Sequence, residues 1–161
     1  MKPRALLAVA LGLSSLLGGC LGGNLRPLQG LNLQLARGGT SHSPALSGNW
    51  LALITGHQGR DQVQLVNLSS SAPVPLLGLN RPDAQPLSIT VDQRGERLAL
   101  VRQREGRTEL VLYRRSLQSL QAIPIEPAGV PRLVQLSADG RVLAVEVSRG
   151  GQWQVDLLTL P

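Results

Sequence analysis

Phenylalanine is absent from this 161-residue chain, and Trp50, Trp153 and Tyr113 supply its only aromatic rings. A core must therefore be built from Leu, Val, Ile and Ala, and the stacking platforms used on single-stranded nucleic acid are missing. Cys20 is the one cysteine, so no internal disulfide can staple the fold. The two histidines, His42 and His57, and a single thiol make no metal-ligand cluster. There is no Gly-x-Ser-x-Gly elbow and no phosphate-cradling glycine loop. Ser41 and His42 are adjacent, so on an extended chain they point apart and form no nucleophile–base pair. His57, beside Gly56, reads as a turn residue. No catalytic residue, metal or cofactor is expected. Lysine is scarce too: setting aside Lys2 and Arg4, 14 arginines face 10 acids, a net charge of +4. That balance does not by itself make a nucleic-acid binder.

What is present begins with Lys2 and Arg4, an uncharged run from Ala5 to Leu17, and then Gly18-Gly19-Cys20. A basic start followed by an apolar stretch of this length reads as a secretory signal, residues 1–19. The alternative, an uncleaved membrane helix, must carry Gly12, Gly18, Gly19, Gly22 and Gly23, each costing about 1 kcal/mol in a helix interior. Leu17-Gly18-Gly19-Cys20 resembles the lipobox of bacterial lipoproteins. The resemblance implies cleavage before Cys20, diacylglycerol on its sulfur, and a membrane as first partner. Residues 20–30 read as a tether. Ten extended residues span at most about 35 Å, which would hold the domain close to the membrane. Leu21 is not the Asp that resembles an inner-membrane retention signal, so an outer membrane facing the periplasm is favoured.

The remainder, 31–161, is repetitive. Gly48-Asn-Trp-Leu-Ala-Leu, Gly95-Glu-Arg-Leu-Ala-Leu and Gly140-Arg-Val-Leu-Ala-Val lie 47 and 45 residues apart, and Gly59, Gly106 and Gly151 repeat at the same offsets. Such a period marks propeller blades. After each second glycine comes an alternating strand in which Val63, Leu110 and Val155 match, as do Leu65, Leu112 and Leu157. The strand before it is apolar on both faces, as a strand between neighbouring blades requires. No stretch of helical period competes. An all-β fold of three four-stranded propeller-type blades is expected, at about 40–79, 86–126 and 131–161. Strands a to d lie near 44–46, 50–55, 62–67 and 74–78 in blade 1, and at 87–91, 97–102, 109–114 and 121–125 in blade 2. Blade 3 has a to c at 132–136, 142–147 and 153–158. Leu31–Leu35 alternates and is expected as a strand closing a blade.

Ser137-Ala138-Asp139-Gly140-Arg141 ahead of Val142-Leu143-Ala144-Val145 resembles the TolB-like propeller repeat, also called PD40 or WD40-like. Asp92-Gln93-Arg94-Gly95 and Ser47-Gly48 are weaker copies. The resemblance implies a propeller used for protein contacts at the cell envelope. Closed propellers have about four to eight blades, so three leave two apolar flanks. One expectation is a homodimeric six-bladed ring in which Leu31–Leu35 adds a strand to the other copy's blade 3. Others are an envelope protein with blades of its own, an open arc, and a monomer in which Leu31–Leu35 folds back on its own blade 3.

The b–c and d–a loops, taken as 56–61, 103–108, 149–152, 80–85 and 126–131, gather Arg60, Arg81, Arg104, Arg107 and Arg149. Arginine forks suit carboxylate and phosphate. Asp61, Asp83, Glu105 and Glu126 share those loops and leave a balance of +1, which equally describes solvated loop charge. Trp50 and Trp153 read as inter-blade or rim packing rather than a sugar platform. Two function classes follow: an interaction scaffold or adaptor at the envelope, or a sensor or carrier of a small anionic or glycan ligand at the propeller axis.

Overall fold

The computed structural model describes residues 25–161. Cys20, the signal segment and the first half of the tether lie outside the described residues. The elements are α1 (Gln29–Arg37), β1 (Ser41–Ser47), β2 (Trp50–His57), β3 (Arg60–Asn67), β4 (Ala72–Val74), β5 (Ala84–Val91), β6 (Arg97–Arg104), β7 (Arg107–Arg114), β8 (Ser119–Ile123), β9 (Val130–Leu136), β10 (Val142–Arg149) and β11 (Gln152–Thr159). They form three antiparallel meanders, β1-β2-β3-β4, β5-β6-β7-β8 and β9-β10-β11. These are the expected blades, packed face to face in chain order.

The turns explain the register. Gln58-Gly59, Glu105-Gly106 and Gly150-Gly151 all have positive φ at both residues. That pair fits the right-handed twist of a two-residue hairpin. The strands consequently run to His57↔Arg60, Arg104↔Arg107 and Arg149↔Gln152. The longer b–c loops expected at 56–61 and 103–108 are thus two residues long, and their arginines stand at strand ends. In blade 3 the a–b turn closes through Gly140 N–H donating to Ser137 O at 2.9 Å. Ser137 Oγ accepts from Val142 N–H at 2.9 Å, and Asp139 Oδ1 from Arg141 N–H at 3.1 Å. Asp92 does similar work in blade 2, accepting from Glu96 N–H at 2.8 Å. Blade 1 lacks the Asp, and its turn tightens to Gly48-Asn49 between Ser47 and Trp50.

Two expectations are corrected. The outer strands β4 and β8 sit earlier than 74–78 and 121–125, because Ser71 and Gln118, at φ 52° and 50°, reverse the chain sooner. Pro75 and Pro124, with no N–H to donate, then follow the strands. Leu31–Leu35 is not a strand but the middle of helix α1. Gln, Leu, Ala and Arg are good helix formers, and Leu31 and Leu35, four apart, fall on one face. Leu31 is buried on Leu53 and Val66, with Leu35 beside it, while Leu33, which alternation would have paired with them, is 60% exposed. Gly38 N–H caps Leu35 O at 3.0 Å.

We call the face that each blade turns toward the preceding blade its leading face, and the opposite one its trailing face. The trailing face of blade 1 (Ala52, Ile54, Val63, Leu65) packs on the leading face of blade 2 (Leu98, Leu100, Val111, Tyr113). The trailing face of blade 2 (Ala99, Val101, Leu110, Leu112) packs on blade 3 through Leu143, Val145 and Val147. Helix α1 covers the apolar end of the leading face of blade 1, Leu31 lying on Leu53 and Val66, so of the two apolar flanks expected only the trailing face of blade 3 is bare.

Candidate functional site

The inner strands β1, β5 and β9 line an axial cleft of about 750 Å³, with Ser43, Ser88, Thr90, Leu46, Val134 and Leu136 among its walls. Its polar groups mostly hold the blades together. Thr90 Oγ1 accepts from Leu136 N–H at 3.0 Å, Ser88 Oγ from Val134 N–H at 3.3 Å, and Ser43 Oγ donates to Leu87 O at 3.5 Å. Glu146 is the one charged residue among its lining, and no arginine lines it.

A second pocket, about 470 Å³, opens at the other end between the β2–β3 turn and the linker from blade 1 to blade 2. Asn80 builds its wall. Its Oδ1 accepts from Val63 N–H at 2.8 Å and its Nδ2 donates to Val63 O at 2.9 Å, taking the place of the outer strand that β4 leaves short. Arg60, Arg81, Asp61, Asp83, Gln85 and Gln103 complete it. Arg81 Nε donates to Asp83 Oδ1 at 3.0 Å. Arg104 Nε stands 3.2 Å from Asp83 Oδ2, an ion pair whose N–H is not aimed at the oxygen. The hydrogen bond from Arg81 holds the Asp83 carboxyl below the usual carboxylate range, and in turn raises Arg81.

Two of the five candidate arginines, Arg60 and Arg81, therefore line one pocket, and Arg104 reaches it only through Asp83, the carboxylate that already faces Arg81. Arg107 stands opposite Arg104 across the β6–β7 turn, exposed and outside the lining. Arg149 belongs to blade 3. Its Nη2 donates to Asp156 Oδ2 at 2.5 Å, its Nη1 to Gln154 at 3.1 Å and its Nε to Pro127 O at 3.0 Å. That contact lowers Asp156. Arg102, which sequence reasoning passed over, is 4% exposed and donates from Nε to Glu109 at 2.6 Å. An Arg inside an otherwise apolar strand, with an acid at its cross-strand position, was the signal available.

His42, Ser43 and Asp61 come closer together than adjacency in the chain allows one to foresee. Ser43, at φ 51°, bends the strand so that its Oγ lies 3.1 Å from His42 Nδ1. Asp61 Oδ2 stands 3.9 Å from His42 Nε2, outside hydrogen-bond reach, and the His42 side chain is half exposed. Such spacing does not orient an imidazole as a base. Among the described residues no group of three His, Cys, Asp or Glu could hold a metal ion.

The third feature is the trailing face of blade 3. Val155 and Leu157 are 68% and 72% exposed, while the matched Val63, Leu65, Leu110 and Leu112 are at most 4% exposed. Trp153 lies on this face under the Arg132 guanidinium, 4.2 Å from the ring centroid. Trp50, by contrast, packs into the core between blades and against Gly95. The Arg132–Glu146 pair, at 2.5 Å, makes the middle of the face polar, with Ser148 and Trp153 beyond it toward the β10–β11 turn. Val142, Ala144 and Leu157 make the other end apolar.

No protein-family model matches the chain, and no curated protein matches it. Solved structures do. TolB from Acinetobacter baumannii superposes with a TM-score of 0.58 at 17% identity over 76% of this chain and 30% of that one. A TolB described as putative, from Agrobacterium tumefaciens, gives 0.64 at 12% over 78% and 48%. The β-propeller domain of the trilobed protease from Pyrococcus furiosus gives 0.53 at 14% over 75% and 42%. The chain spans less than half the length of each. Its fold is a TolB-like β-propeller, present as three consecutive blades.

Proposed function

We propose that this chain is an envelope lipoprotein, held to the membrane by lipid on Cys20, that works without catalysis as a protein-interaction scaffold or adaptor. The observation that carries the reading is the trailing face of blade 3. It exposes, at repeat positions 155 and 157, side chains of the kind that the other two blades bury against a neighbour. An apolar sheet face of that kind is solvated at a cost that a protein partner removes. The lipobox-like Leu17–Cys20 supports the anchor, and two long acyl chains would make it effectively permanent. An outer membrane facing the periplasm is the compartment favoured by Leu21.

The test is a photo-crosslinking amino acid at position 157 of the full chain in living cells, with position 70 as an exposed polar control. Adducts to an envelope protein or to a second copy are expected from 157 at a level well above 70. No excess at 157 overturns the scaffold. Labelled palmitate should enter the wild-type chain and not Cys20→Ser, and equal labelling overturns the anchor.

A further inference from the structure

We infer that the trailing face of blade 3 is closed by the leading face of blade 1 from a second copy, two chains forming a six-bladed ring from which helix α1 has stepped aside. This rests on the scaffold reading and names its partner.

Contacts between consecutive blades repeat at matched positions. On the inner strand, Thr90 opposite Ala99 bonds the backbone of the next blade's inner strand at Leu136. Its register mate in blade 3 is Gln135 opposite Ala144, exposed in the axial cleft. At the start of the second strand, Trp50 packs on Gly95 of the next blade's turn, and Arg97 Nη1 donates to Gly140 O at 2.9 Å. The third member is Val142, 41% exposed. With Val155 and Leu157, these place on blade 3 side chains at the positions by which the other two blades grip a following blade, Glu146 alone standing where they have Ile54 and Val101, so the occupant they fit is a blade's leading face.

The leading face of blade 1 fits in polarity as well as in shape. Its cross-strand pairs run Leu51↔Val66, Leu53↔Gln64 and Thr55↔Gln62, apolar near the β1–β2 turn and amide- and hydroxyl-bearing near the β2–β3 turn. The trailing face of blade 3 likewise passes from Val142, Ala144 and Leu157 to the Arg132–Glu146 pair, whose guanidinium lies over Trp153 toward the β10–β11 turn. With blades in register, apolar end meets apolar end and the two amides meet the Arg132–Glu146 pair. Helix α1 occupies only the apolar end, with Leu31 its one buried side chain, and Gly38-Gly39 joins it to β1. Two sets of three blades make six, within the number at which propellers close. Closure would turn the axial cleft into a channel lined by six inner strands.

The experiment is light scattering and sedimentation of the full chain in detergent micelles from nanomolar to micromolar concentration. A two-chain mass at the upper end is expected. Leu157→Asp, at an exposed position, should leave the far-ultraviolet spectrum and monomer melting unchanged. It should weaken association at least about a hundredfold, because the ring contains the contact twice. Leu31→Asp, which frees the blade 1 face from α1, should strengthen association. A monomer throughout, a dimer indifferent to Leu157→Asp, or association weakened by Leu31→Asp each overturns the ring. If position 157 crosslinks only to a different envelope protein, the ring falls and the scaffold stands. If it crosslinks to nothing, both fall.

Discussion

Leu65, Leu112 and Leu157 occupy one repeat position in three blades and are 0%, 1% and 72% exposed. Truncating each to alanine removes the same atoms from three settings. At buried sites, Leu→Ala costs about 2–5 kcal/mol, the transfer term plus the cavity left behind. At an exposed site, the effect stays within about 0.5 kcal/mol. For a domain of this size, 1 kcal/mol moves Tm by roughly 3–5 °C. Leu65→Ala and Leu112→Ala should therefore melt about 6–25 °C below wild type, and Leu157→Ala within about 2 °C of it. Circular dichroism on dilute protein measures all three. At higher concentration Leu157→Ala should acquire a cost that the dilute sample lacks, since association stabilises the folded chain by mass action. Equal losses at all three positions in dilute solution would mean that the blade 3 face is covered within one chain, and the reasoning from it would fail.

Gly95 has φ +65°, and a Cβ there would lie 2.4 Å from the Trp50 ring. Gly95→Ala should cost well over about 1 kcal/mol and shift tryptophan emission, whereas Gly106→Ala, at φ +73° with open space, should cost only about 1 kcal/mol by denaturant unfolding. Thr90→Val leaves the Leu136 N–H buried without its acceptor, a loss of about 1–3 kcal/mol that Thr90→Ser should largely recover. Asp83, Asp139 and Asp156 are held below the usual carboxylate range by Arg81, by Ser137 with Arg141 N–H, and by Arg149. Their contribution to stability is present above about pH 4 and is lost as pH falls through their folded values. Burial raises the Tyr113 hydroxyl, so stability should also fall as pH rises past about 10, where the unfolded chain ionises first. A melting-temperature profile flat at acid pH, or Tyr113→Phe without effect on the alkaline limb, would contradict these assignments.

The blades were legible in the sequence because a repeat writes the same local physics three times. Gly59, Gly106 and Gly151 mark turns that need positive φ, and the period-two strands after them need one buried face. Those constraints act over a few residues, so they survive in the order of amino acids. The outer strands were less legible: where β4 ends depends on Asn80, an amide that pairs with Val63 from 17 residues away. Leu31–Leu35 was misread for a related reason. Five residues with Leu at alternate positions suit a strand or one side of a helix, and burial of Leu31 on Leu53 and Val66 decided for the helix. The candidate arginines could be counted in advance, but not which of them a carboxylate would hold. Asp83 lies two residues from Arg81 and 21 from Arg104, and only the folded linker sets it between them. Sequence alone thus determined the repeat, its turns and the alternation of its strands. Tertiary structure decided which matched leucine is core and which is surface, because burial belongs to what lies across a face, and a strand carries no record of its neighbour.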